Sequence, residues 1–101
     1  MKFLLKLEDI KEKVSILASQ YGAERIFLFG SYARGQADED SDIDLRIDRG
    51  EIKGWALGGL LFDLESALNK KVDLITTGSL DKDFLDEIRK DEVLLYERKS
   101  R

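Results

Sequence analysis

Residues Asp42 to Asp48 alternate strictly between charged and aliphatic side chains, and no other stretch of this chain restricts its fold as much. On an extended strand, successive side chains point to opposite faces. Ile43, Leu45 and Ile47 therefore share one face, and Asp42, Asp44, Arg46 and Asp48 share the other. The segment must be a strand packed on a core by one face, with a cluster of carboxylates held on the other.

The remainder of the chain supplies layers for that strand. Leu7, Ile10, Val14, Leu17, Ala18 and Tyr21 recur at helical spacing and stop at Gly22, which predicts an amphipathic first helix. Arg25 to Phe29 is a short apolar run ending at Gly30 and reads as a buried strand. Ser31 to Gly35 is expected to form a short helix with Ser31 as its N-cap, followed by a polar loop from Gln36 to Ser41. Trp55 to Asn69 reads as a helix with Leu57, Leu60, Leu61, Leu64 and Leu68 as its core stripe. Lys71 to Thr76 is a second apolar strand, carrying Val72, Leu74 and Ile75. Asp81 can cap a helix running to about Asp91 that buries Leu85 and Ile88, and Val93 to Glu97 reads as a closing strand. The sum is a small α/β (α+β) fold: one domain over residues 1–101, with helices covering a mixed sheet of three or four strands.

Composition narrows the chemistry. The chain has no histidine and no cysteine, which removes Ser-His-Asp and Cys-His catalysis, thiolate metal sites and disulfide scaffolding. Reactions must run on carboxylates, hydroxyls, amines and guanidinium groups. The net charge is −4, and Lys and Arg are scattered rather than gathered into a stripe, so a long nucleic acid is a poor substrate. The apolar start Met1 to Leu5 is too short for a signal-peptide core, and no apolar run approaches membrane-spanning length. A cytoplasmic location is expected.

Six acidic residues lie between Asp38 and Asp48. Asp42 and Asp44, two apart on a strand, project side chains roughly 7 Å apart into one volume. Carboxylates that close repel unless a proton or a cation sits between them, and a hard divalent ion with oxygen ligands resolves the repulsion. Taken alone, the pair is equally a solvated, charged strand face. Asp38, Glu39 and Asp40 read as loop carboxylates without fixed partners. Gly30-Ser31 follows a buried strand and opens a helix. Glycine there lets a phosphate approach the backbone, helix-start N–H groups favour an anion, and the Ser31 hydroxyl can donate to it. Taken alone, this too has a plain reading, a turn and an N-cap. Together, a phosphate cradle and a carboxylate pair on neighbouring strands are what nucleotidyl or phosphoryl transfer requires.

Gly30-Ser31, ten intervening residues and then Asp42-Ile43-Asp44 resemble the signature of the polymerase-β-like nucleotidyltransferase superfamily. The fuller strings Phe29-Gly30-Ser31-Tyr32-Ala33-Arg34-Gly35 and Ser41-Asp42-Ile43-Asp44-Leu45 resemble its minimal nucleotidyltransferases, the MNT antitoxins paired with HEPN-domain toxins, and the likeness extends over nearly the whole chain. The resemblance implies a third acid on the strand after the long helix, where Asp73 stands; read without it, Asp73 could be a strand-end acid paired to Lys70 or Lys71. It implies that Asp42, Asp44 and Asp73 hold two Mg²⁺ ions. It also implies that Gly30, Ser31 and Arg34 bind the phosphates of ATP, and that AMP passes to a tyrosine of a HEPN-domain RNase toxin. Arg46 departs from the pattern, which usually has an aliphatic residue there. Sharing the face of Asp42 and Asp44, it could neutralise a carboxylate or touch substrate. Trp55, Phe62 and Phe84 are candidates for a partner surface or for the edges of a small core. Two other readings keep the fold: an antitoxin that acts by binding alone, and a transferase acting on a small molecule, for which a chain this short lacks an expected second domain.

Overall fold

A computed structural model describes residues 4–99 of the chain. Its elements are α1 (Leu7–Tyr21), β1 (Arg25–Phe29), the single-turn α2 (Gly30–Ala33), β2 (Ile43–Asp48), a 3₁₀ turn (Gly54–Ala56), α3 (Leu57–Leu68), β3 (Val72–Thr76), a second 3₁₀ turn (Thr77–Ser79), α4 (Lys82–Arg89) and β4 (Val93–Glu97). Every helix and strand expected from the sequence is present. The differences lie at the ends. Gly54–Ala56 winds as 3₁₀ before α3, where Gly54, Gly58 and Gly59 weaken helix propensity. At the other end of α3, Asn69 adopts a left-handed conformation (φ 53°) that closes the helix.

The four strands lie in the order β3-β2-β1-β4. β2 pairs antiparallel with β1 and parallel with β3, so the carboxylate strand is central and is hydrogen-bonded on both edges. Helices α1 and α3 cover one face. Ile10, Val14 and Ala18 from α1 and Leu60, Leu64 and Leu68 from α3 meet Ile26, Leu28, Ile43, Leu45 and Ile47 from the sheet, all essentially inaccessible to solvent. This is the aliphatic half of the Asp42–Asp48 alternation, buried as its period requires. At about 25 cal/mol per Å² of apolar surface removed from water, it is the principal stabilising term for a domain of this size.

The opposite face is not simply polar. Phe29 meets Phe84 of α4 edge-on, with ring centroids 6.3 Å apart, so α4 covers part of it. Asp81 caps α4 as expected, its carboxylate accepting from the Phe84 N–H at 2.8 Å. Arg46, expected beside the carboxylates, is instead buried at 2% exposure. Its guanidinium makes a two-pronged bond to Glu92 (2.7 and 3.1 Å), donates to the Thr77 hydroxyl (2.9 Å) and lies 4.0 Å from the centre of the Phe27 ring. The segment leading into β4 delivers Glu92 and thereby seals the middle of this face. Among the described residues, no helix is long and apolar enough to cross a membrane.

Candidate active site

The buried arginine lies 3.7 Å from Asp48 but makes no ion pair with Asp42, Asp44 or Asp73 among the described residues. In the parallel β2–β3 pair, Asp44 stands directly opposite Asp73. Neighbours in register on adjacent strands project to the same side, so the two carboxyls meet and hydrogen-bond. Partial burial pushes the Asp44 carboxyl up to about 6, reinforced by the charge of Asp73, its hydrogen bond to Asp73 and the charge of Asp42. The Arg34 guanidinium opposes this rise without cancelling it. Asp42 lies one residue ahead of β2, half-buried, and its charge is felt at Asp44. The three acids named from the sequence thus lie together near the starts of β2 and β3. Among the described residues, however, no three acidic, histidine or cysteine side chains already form a closed metal cage.

The reason for Asp73 differs from the one expected. An acid inside a buried strand would be costly, but β3 is the edge strand and Asp73 is exposed. Register, not burial, sets it against Asp44. Neither Lys70 nor Lys71 pairs with it among the described residues; Lys70 reaches the main-chain carbonyls of Glu39 and Ser41 instead. Asp38, expected to be unpartnered, also has a fixed place. Its carboxylate accepts from the Asp40 N–H and the Ser41 hydroxyl, while the Ser41 oxygen accepts from the Asp38 N–H. These bonds fold the loop into a self-capped turn before Asp42.

Gly30 lies beside Asp44 because the preceding residue, Phe29, pairs with Asp44 in the β1–β2 ladder. Its φ is +75°, and a Cβ built there would collide with the Asp44 carboxylate, with Cγ at 3.1 Å. Glycine is required here twice over, for backbone conformation and to leave room for the acid. Ser31 is not the N-cap. The helix begins one residue earlier, Phe29 occupies the capping position without a side-chain bond, and Ser31 lies in the first turn. Its hydroxyl has no partner among the described residues, so it is available to an outside acceptor. Arg34 follows α2, exposed, with its Nε donating to Gln36 at 3.1 Å. Arg34 and Gly30 line a cleft of about 230 Å³ with Phe29, Phe84, Glu87 and Ile88. A larger cleft, about 580 Å³, lies at the far end of β2 between Asp48, Arg49, Leu57 and Thr77 and contains none of the candidate residues. The candidate residues therefore do not lie at the larger of these two clefts. Trp55 and Phe62 are 84% and 69% exposed, and so are surface residues rather than core edges.

The arrangement can do three things. Its oxygen-only donor set suits a hard divalent cation, which would offset the repulsion from Asp73 and Asp42 that, with partial burial, raises the Asp44 carboxyl. The Gly30 turn gives an anion close access to backbone and hydroxyl donors. Asp73, exposed at the edge, can accept a proton from an incoming group. The pairing of Arg46 with Glu92 and Thr77 left no mark in the sequence pattern, because residues 31 and 46 apart in the chain meet only in the folded state.

The chain resembles known proteins over most of its length. The family described as "Polymerase beta, Nucleotidyltransferase" matches residues 8–101. The chain is similar to protein adenylyltransferase MntA of Thermococcus cleftensis, 38% identical over 82 residues that cover 76% of this chain and 83% of the relative. It is 42% identical over 82 residues to a provisionally named protein adenylyltransferase of Methanocaldococcus jannaschii, covering 79% of this chain and 95% of that protein. A crystal structure of a toxin–antitoxin with AMP-PNP superposes with a TM-score of 0.73 at 26% identity, over 88% of this chain and 74% of that one. The fold also matches that of a complex of a tri-AMPylated HEPN toxin from Shewanella oneidensis with its MNT antitoxin, with a TM-score of 0.66 at 24% identity, over 88% of this chain and 71% of that one.

Proposed function

The chain belongs to the polymerase β nucleotidyltransferase family, and on that premise we propose that it transfers AMP from ATP to a tyrosine of a HEPN-domain toxin, acting as the antitoxin of the pair. The observation that carries the reading is the facing of Asp44 and Asp73 across β2 and β3, with the Gly30 turn packed against the Asp44 carboxylate. The likeness to a toxin–antitoxin with AMP-PNP supports a nucleotide substrate and a protein partner, and the adenylyltransferase relatives support a protein acceptor.

In this reading Asp42, Asp44 and Asp73 hold Mg²⁺, which when bound neutralises phosphate charge and acidifies an acceptor hydroxyl. The Gly30 backbone allows the β- and γ-phosphates to approach, and the Ser31 hydroxyl donates to one of their oxygens. Arg34, already within electrostatic reach of Asp44, offsets charge accumulating on the pyrophosphate. Asp73 takes the proton of the acceptor hydroxyl as its oxygen bonds to the α-phosphorus and the bond to pyrophosphate breaks. Arg46 takes no part, since its donors are committed to Glu92 and Thr77.

The test is transfer of label from α-labelled ATP, with Mg²⁺, to the product of the neighbouring gene. Asp42→Asn and Asp44→Asn proteins should each lose the transfer. Undiminished labelling in both variants would overturn the site. A stable complex with no label under any condition would replace catalysis with inhibition by binding.

A further inference from the structure

Asp42 carries one of the proposed ligand carboxylates, yet it stands outside the regular ladder, one residue before β2 begins. What fixes it must therefore come from its flanks. On its C-terminal side, the Ile43 N–H donates to the carbonyl of Lys71 at 3.0 Å. On its N-terminal side, the Lys70 ammonium donates to the carbonyl of Glu39 at 2.8 Å and makes a longer contact, 3.5 Å, with that of Ser41. Both anchors come from the same two residues, in the turn between α3 and β3. That turn is set by Asn69 in the left-handed region, and it leads within four residues to Asp73.

Lys70 is half-buried and forms no ion pair among the described residues, although Asp38, Glu39 and Asp40 all lie in the loop it reaches. An ammonium that binds main-chain carbonyls acts on the path of the chain rather than on a neighbouring charge. The loop's own bonds, between Asp38, Asp40 and Ser41, close it as a turn but do not tie it to the sheet. The Lys70 side chain joins two of the loop's carbonyls to the start of β3.

We propose that Lys70 is a positioning residue. It clamps the loop carbonyls preceding Asp42 to the start of β3, so that the spacing of the Asp42 carboxylate from the Asp44–Asp73 pair is set by a single turn. The inference rests on the reading of Asp42 as a metal ligand, but its mechanical part does not. Freed from Lys70, the loop retains its internal turn and loses its reference to β3. Asp42 then samples positions from which it cannot share an ion with Asp44.

Two variants test this. Lys70→Met keeps the alkyl stem and removes the donors, and Lys70→Arg keeps charge and donors. In metal-free Lys70→Met, amide hydrogen exchange at Ser41 and Ile43 should accelerate about tenfold, while exchange at Leu28 in the core stays as in the wild type. Lys70→Arg should return most of that protection. In the transfer assay, Lys70→Met should need about five- to tenfold more Mg²⁺ for half-maximal rate, with kcat at saturating Mg²⁺ nearly recovered. Unchanged exchange at Ser41 and Ile43 would overturn the clamp whatever the kinetics show. Faster exchange with an unchanged Mg²⁺ requirement would overturn its role in placing Asp42. Retained transfer in Asp42→Asn would instead remove the ligand reading, leaving the exchange result to decide the clamp on its own.

Discussion

The pairing of Asp44 with Asp73 has a thermodynamic consequence that can be measured without any substrate. In the folded chain the Asp44 carboxyl is pushed up to about 6 from an ordinary 3.8, first by burial and then by its acidic neighbours. Between those two values the folded protein binds more protons than the unfolded chain, so stability must fall as pH rises. A displacement of that size corresponds to about 3 kcal/mol between the two protonation states. Asp44 is only partly buried, and solvent screening reduces the expected effect to about 1–2 kcal/mol. For a domain of this length that is a Tm difference of roughly 5–10 °C. Urea unfolding followed by circular dichroism, in chelator between pH 4.5 and 7.5, reads it directly. Fluorescence is the poorer probe, because Trp55 is 84% exposed already. Asp44→Asn mimics the protonated acid and cannot titrate, so the variant should lack this loss and be the more stable protein at pH 7.5. Adding Mg²⁺ at pH 7.5 should stabilise the wild type and not the variant. Asp48 does not interfere: burial alone would raise its carboxyl, but Thr77, Arg25 and Arg46 together hold it below the ordinary range. Its contribution is therefore lost only at more acidic pH. Parallel pH profiles for wild type and Asp44→Asn would refute the reasoning, because they would mean that Asp44 titrates as a free surface acid.

Three further outcomes follow from the packing. Gly30→Ala must place a Cβ against the Asp44 carboxylate at a positive φ, which costs about 1–2 kcal/mol for the backbone alone, and it should abolish AMP transfer; a fully active, equally stable variant would refute the assignment. Arg46→Leu leaves Glu92 poorly hydrated and unpaired and should cost about 3–5 kcal/mol in urea unfolding, whereas Arg46→Leu with Glu92→Leu should recover much of that loss. Asp81→Ala removes the cap of α4 and should cost about 1 kcal/mol, read in the same unfolding assay.

These experiments probe residues that became legible at different stages. The element types followed from short-range patterns: the alternation from Asp42 to Asp48, the apolar run of β1, the leucine stripe of α3 and the aspartate before α4. Each is a local consequence of strand or helix geometry, and each survived folding with shifts of a residue or two at its ends. The convergence of Gly30, Asp42 and Asp44 was legible for a related reason. β1 and β2 are consecutive strands, so antiparallel pairing returns the acids to the Gly30 turn.

What local pattern could not supply was anything set by distant pairing. Arg46 illustrates this. Period two placed it on the carboxylate face, and its type suggested a partner for Asp44 or Asp48. It does stand 3.7 Å from Asp48, as that reading allowed, but Glu92, arriving from the segment before β4 and 46 residues away in sequence, makes it a buried structural cation stacked on Phe27. Asp73 illustrates the converse. Its type and strand were visible, but its standing opposite Asp44 depends on the parallel register of β2 and β3, which the chain joins through the crossover helix α3. The sequence by itself therefore determined which side chains are chemically able to act and on which kind of element each sits, because those properties belong to a residue and its near neighbours. The tertiary structure decided which of them meet: Asp44 with Asp73, Arg46 with Glu92, and Lys70 with the loop before Asp42. A meeting across a sheet is fixed by register and by the covering elements, and neither is written within any one segment of the chain.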